Sequence, residues 1–436
     1  MCKRFGIFFV PLQPKNDMRH FPAILTILFL SLSATAQATI QYETCVLDES
    51  VKTLRLRYDG TEQPERPILT LGGSEVLEIS FDQLSHSLRH YTYTLLHLNA
   101  DRTQSALTGS EYISGFTTQD ITDYDYSFNT HQLYTHYRFF FPNDDMQPAV
   151  SGNYALKIYE DGDPDKAVAY VCFCVVEPMA DIDVRLRTNT DIELAGRYQQ
   201  LDIDVSTVSL NVTNPADELK LIVQQNGRFD NLVYAPRPTY VESGRLRWLN
   251  CRNLIFEGGN EYRHFDLASV YIYGQNVDHI EYDRNVFHAF LYPDETDASA
   301  PYLSAFDKNG QYAVHAERTN DSDYEADYMW VHFLLPRKSP WFDGSIFIGG
   351  DLSDNAFTNG NRMSYDNEHQ AYYGSLYLKQ GAYDYQYFFL GKGSRQATLL
   401  RTEGSHWQTQ NEYTIMVYYR PFGARADRLI GFKRLQ

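Results

Sequence analysis

The stretch His90-Tyr-Thr-Tyr-Thr-Leu-Leu-His-Leu98 sets Tyr91, Tyr93, Leu95 and His97 on alternate positions, with smaller or apolar partners between them. A period of two is the repeat of a β-strand, whose successive side chains point to opposite faces of a sheet. The same repeat recurs along the chain. Lys52–Tyr58 alternates Leu54 and Leu56 with Arg55 and Arg57. Further runs are Leu201–Val205, Glu218–Gln224, Ser269–Tyr273, Val286–Tyr292, Tyr328–Leu335, Ser345–Gly349, Tyr372–Leu378, Tyr383–Leu390 and Tyr413–Tyr419. Turn signals punctuate them, among them Asp59-Gly60, Gly72-Gly73, Asn226-Gly227, Gly258-Gly259, Asn309-Gly310, Gly349-Gly350 and Asn359-Gly360. No long amphipathic helix interrupts the pattern. Many short strands at regular spacing predict an all-β chain of two to three consecutive immunoglobulin-like β-sandwich domains.

Composition agrees. There are 34 Tyr and 26 Phe against 7 Met and 4 Trp, and Tyr and Phe suit the half-buried pleated surface of a strand. At the N-terminus, Lys15 and Arg19 precede the apolar run Phe21–Leu32, which is followed by Ala34-Thr35-Ala36. A basic start, a short apolar core and an A-x-A site read as a cleaved signal peptide over 1–36, with Met18 as an alternative start. The run is shorter than the ~20 residues of a membrane span. The expected mature protein is therefore exported and not inserted in a membrane. The net charge of -18 repels nucleic-acid phosphates and anionic lipid heads, so nucleic acid is not an expected partner.

A chain of 436 residues favours more than one domain. Tyr154–Val176 and Glu177-Pro178 close a first sandwich over 37–178. A second is expected over 179–327, with the polar stretch Asp294–Asp327 as a linker or long exposed hairpin bearing a strand near Tyr312–Glu317. A C-terminal β unit is expected over 328–436.

Reactive chemistry is hard to find in the sequence. Past the leader stand Cys45, Cys172, Cys174 and Cys251, which allow three full pairings; buried thiols or one disulfide fit better than zinc, which needs two close pairs. Asp161-Gly-Asp163-Pro-Asp165 opens like a calcium loop, but the twelfth place is Cys172, and the segment reads as a hairpin turn. No H-E-x-x-H, G-x-S-x-G or P-loop occurs. No carboxylate pair stands out for a glycan hydrolase. No catalytic residue, metal or cofactor is expected. Trp341, Tyr365 and Tyr372 form part of an aromatic-rich C-terminal unit resembling the immunoglobulin-like modules of starch- and glycogen-acting proteins. They are the candidates for sugar stacking in an alternative reading, an exported carbohydrate-binding protein.

Three stretches carry a more specific resemblance. They are Pro67-Ile-Leu-Thr-Leu-Gly72 through Glu78-Ile-Ser-Phe-Asp-Gln-Leu84; Glu111-Tyr-Ile-Ser-Gly-Phe116 through Tyr134-Thr-His-Tyr137 to Ser151-Gly-Asn-Tyr154; and Gln225-Asn-Gly-Arg-Phe-Asp-Asn231 with Phe256-Glu-Gly-Gly-Asn-Glu-Tyr-Arg-His-Phe-Asp266. In this order they resemble the type IX secretion system plug proteins of Bacteroidota. The chain departs from the pattern at Arg102, where an aromatic is expected after Asp101. The resemblance implies a periplasmic, non-enzymatic protein, monomeric apart from its complex. Its implied partner is the outer-membrane β-barrel translocon, whose periplasmic mouth it seals at rest. Segment Glu111–Tyr137 is then either a corner of the first sandwich, with Asn129 and Thr130 satisfying a turn, or the docking face. As a docking face it offers Tyr112, Phe116, Tyr124, Phe128, Asn129, His131, Tyr134 and His136.

Overall fold

The computed structural model describes residues 41–61, 66–208, 210, 212–296 and 298–436; the expected signal peptide lies outside them. Among the described residues almost every regular element is a strand; six of the seven sheets form three pairs, each closed over its own core, and Ile113–Gly115 with Met146–Pro148 makes a small seventh.

In the first pair, Tyr91–Leu98 lies between Gly152–Glu160 and Thr118–Ile121, and the sheet continues through Ala167–Val176 to Cys45–Val46. The facing sheet runs Val51–Tyr58, Leu77–Gln83, Thr135–Phe141, Asp123–Tyr126. Alternate residues of both sheets meet in an aromatic core, where Phe81 stacks on Tyr137 at 5.2 Å and Tyr154 on Phe173 at 5.7 Å. The turn at Asp161–Asp165 joins Gly152–Glu160 to Ala167–Val176, with Asp161 in the left-handed region.

The second and third pairs are interleaved in sequence. Asp181–Arg187, Tyr198–Ser206, Arg245–Trp248 and Tyr240–Glu242 make one sheet of the second sandwich. Its other sheet combines Leu219–Gln225 with Tyr413–Tyr419 and Arg428–Leu435 from the C-terminus. The third sandwich, from Arg263–Asp266 to Gly381–Gly391, is inserted between those halves. The sheets therefore do not divide at residues 327 and 328, where the sequence suggested a boundary. The reason is burial. Tyr413–Tyr419 is buried along its whole length, so both its edges must be paired, and Leu219–Gln225 supplies the second edge.

The polar stretch Asp294–Asp327 is neither a free linker nor an exposed hairpin. Val286–Leu291 and Tyr328–Pro336 are parallel neighbours, with Phe287 opposite Met329. Parallel strands cannot be joined by a tight turn and need a long crossover. On the way, Tyr312–Val314 joins the opposite sheet against Gly381–Gly391, and Asp294 accepts hydrogen bonds from Tyr385 and Tyr387. Ser269–Tyr273 also differs from expectation and forms a bend. The Ser269 hydroxyl accepts the backbone N–H groups of Tyr271 and Ile272, a local bond that competes with strand pairing. Gly258-Gly259 is the contact point where segment 405–411 crosses. A Cβ on Gly258 would lie 2.1 Å from the His406 carbonyl oxygen, and Gly259 has φ +66°.

This topology sets an expected outcome. Truncation after Asn411 removes two strands of the second sandwich instead of part of a separate terminal module. The truncated protein is expected to lose cooperative unfolding in thermal circular dichroism and to expose the second core to hydrophobic dyes; a sharp, near-native transition would contradict the pairing.

Candidate docking surface

Segment 111–137 travels along the open edges of both sheets of the first sandwich. Thr118–Ile121 ends one sheet and Asp123–Tyr126 ends the other. All four residues of Asp123–Tyr126 are exposed, with Tyr124 and Tyr126 on one face and Asp123 and Asp125 on the other. Phe116 is 65% exposed and Phe128 62%. The corner that carries Phe128 is held rigid. The Ser127 hydroxyl accepts from Thr130 and from the Tyr134 backbone, Asn129 has a left-handed φ, and the Phe128 N–H donates to the Tyr324 carbonyl.

The eight candidates separate into two sets. Phe116, Tyr124, Phe128 and Asn129 are on the surface. Tyr112, Tyr134 and His136 are buried and can touch no partner in the folded protein, which corrects their expected placement. His131 stands at the boundary, its Nδ1 2.8 Å from Asp327 and its ring against Phe287. Tyr126 and Leu133 belong to the exposed set and were overlooked; Tyr126 follows from Tyr124 by the strand period.

The buried set has a structural task. His136 Nδ1 lies 2.6 Å from one Asp82 carboxylate oxygen, and Lys379 Nζ and the Tyr328 hydroxyl each lie 2.6 Å from the other. Lys379 also donates to the Asp323 carbonyl and stands 4.2 Å over the Tyr134 ring. The Tyr134 hydroxyl donates to the Ala326 carbonyl. Beside this group, Arg55 and Arg57 reach across to Asp323. Asp82, His136, Arg55 and Arg57 belong to the first sandwich, and Lys379, Tyr328 and Asp323 to the third. Burial alone would raise the Asp82 carboxyl, but Lys379 and His136 outweigh it and hold it below the usual carboxylate range. The second sandwich is tied in by Asp427, which accepts from Lys220 and from the Ala100 backbone. Arg66 reaches Asp351 of the third sandwich and Glu412 at the entry to Tyr413–Tyr419.

The sugar candidates are packing residues. Tyr372 is buried, Trp341 lies between Tyr372 and the Arg337 guanidinium at 3.6 Å, and the Tyr365 hydroxyl donates to the Arg337 carbonyl. A sugar ring needs a free aromatic face; Trp341 is covered on both faces and Tyr372 is buried. All four described cysteines are free thiols, with burial pushing Cys174 up to about 12. Among the described residues no His, Cys, Asp and Glu cluster is arranged to hold a metal, and no helix is long and apolar enough to cross a membrane.

Two outcomes test the junction. Lys379→Met leaves Asp82 charged and buried without its counter-ion and is expected to cost about 3–5 kcal/mol in denaturant unfolding. Adding Asp82→Asn should recover part of that loss. The second concerns Asp354, which burial and neighbouring Asp351 push up to about 7. A carboxyl raised on folding binds more protons folded than unfolded between pH ~4 and ~7, so its contribution to stability falls as pH rises through that window. Asp354→Asn should therefore gain in melting temperature over wild type on going from pH 5 to pH 8; a constant difference would contradict the assignment.

The comparisons accord with this architecture. The family model described as "Type 9 secretion system plug protein 1st domain" matches residues 51–177, the extent of the first sandwich. A crystal structure of a hypothetical protein from Parabacteroides merdae is 38% identical, with a TM-score of 0.88 over 91% of this chain and 99% of that one. A serine-rich repeat protein from Streptococcus agalactiae aligns at 8% identity with a TM-score of 0.12 over 89% and 93% of the two chains, too low to bear on the fold. No curated protein matches. By the family model that its first sandwich matches, the chain belongs to the type IX secretion system plug protein family.

Proposed function

We propose that this protein is a periplasmic stopper. It occupies the periplasmic opening of the outer-membrane type IX translocon barrel in the resting state and leaves when cargo passes. The observation that carries the reading is the ion-paired, buried junction between sandwiches. A seal over a wide pore must hold its shape against a rim much larger than one loop. Three sandwiches locked by buried ion pairs meet that need without an ordering cost on docking. The contact is assigned to the exposed part of segment 116–133, where Phe116, Tyr124, Tyr126 and Phe128 stand on a rigid corner. Aromatic side chains of this kind dominate binding energy at protein interfaces. The role calls for no chemistry and no cofactor.

The test is co-purification from the native envelope in detergent that preserves β-barrels. The wild-type protein is expected to come down with the translocon barrel. Phe116→Ser with Phe128→Ser is expected to reduce recovery at least tenfold at unchanged melting temperature. Recovery of the wild-type protein without any barrel would overturn the proposal.

A further inference from the structure

Where the three sandwiches meet they line a half-open cavity of about 870 Å³, within the ~300–1,000 Å³ range of small-molecule sites. Its wall carries both apolar and charged groups. Leu54, Leu56 and Ile68 of the first sandwich and Leu232 and Phe432 of the second stay only partly buried there. The carboxylates on the wall, Asp321, Asp323, Asp351 and Asp354, all come from the third sandwich or its crossover. Arg55 and Arg57 pair with Asp323, and Arg66 with Asp351; Arg102, whose guanidinium lies 3.8 Å over Phe229, and Arg434 also line the wall. Cys174 of the apolar floor feels the charge of both.

The hydrogen-bonding capacity left unmet on this wall is one-sided. Arg55 Nε, Arg57 Nε, Arg102 Nη1, Gln224 Nε2 and Arg434 Nε are buried without a hydrogen-bond partner, and all are donors. Among the described lining residues no buried side-chain acceptor is left in that condition. Carboxylates do stand behind the guanidinium groups: Glu43 binds Arg102, and Glu412 approaches Arg434 Nε at 3.5 Å. Each pairing engages only part of a five-donor fork. An occupant that answers this wall has an apolar body and an acceptor-rich head that does not need to donate.

We propose that the cavity binds a single-chain anionic amphiphile of the long-chain fatty-acid class. Its hydrocarbon lies along Leu56, Ile68, Leu232 and Phe432, and its carboxylate faces Arg102 and Arg434. The inference stands apart from the translocon reading, since it concerns an interior site and a small ligand.

The test is fluorescence titration of the full mature protein with cis-parinaric acid and with its methyl ester. The acid is expected to bind one to one and saturably, and the ester at least about tenfold more weakly, the worth of a charge-assisted hydrogen bond. Arg102→Leu should weaken the acid by a similar factor and leave the ester unchanged. Ile68→Trp and Leu232→Trp fill the apolar side, and either variant that retains the wild-type melting transition should lose the acid. Absence of saturable uptake by the wild-type protein, equal binding of acid and ester, or undiminished binding in a folded cavity-filled variant would each overturn the proposal.

Discussion

The contact between Lys379 and Asp82, 2.6 Å long with both side chains fully removed from solvent, is the constraint on which the arrangement of the molecule depends. Two charges taken out of water cost several kcal/mol each, and mutual attraction repays that only when the remaining donors and acceptors are also satisfied. Here they are. Asp82 takes His136 on one oxygen and Tyr328 with Lys379 on the other, and Lys379 spends a further donor on the Asp323 carbonyl. Such a network tolerates one register between the first and third sandwiches. A slip of one residue would turn Asp82 or Lys379 into its own apolar core. The pair is therefore better understood as a device of specificity than as a large source of stability.

The consequence reaches the surface. Phe128 donates its backbone N–H to Tyr324 beside the Asp323 ion pairs, and His131 and Gln132 bind Asp327 on the same crossover. The exposed aromatic corner is thus backed by the third sandwich and not left as a free loop. Function by shape requires that kind of support, because a side chain anchored on a stiff frame loses little freedom on docking.

Much of the fold was legible in the chain because strand period and turn residues are local. Lys52–Tyr58, Tyr328–Leu335 and Tyr383–Leu390 all fall within observed strands. Ser269–Tyr273 has the same pattern but bends, because a serine hydroxyl captures the backbone first. The site was less legible. Tyr134 and His136 look in sequence like amphipathic contact residues, and the side chains that bury them, Tyr328 and Lys379, lie about two hundred positions away. Trp341 and Tyr372 read as a stacking platform until Arg337 and the third core are seen to cover them.

By itself the sequence determined an all-β chain, its strand-forming segments, the order of its motifs and its kinship with the plug proteins, since each of these is written in short-range pattern. Only the tertiary structure decided that the last two strands return to the second sandwich, that the acidic stretch before Tyr328 is a crossover clamped to the first, and which aromatic residues meet solvent. Burial and ion pairing are properties of surfaces brought together by the whole chain, and no local period encodes which surface will meet which.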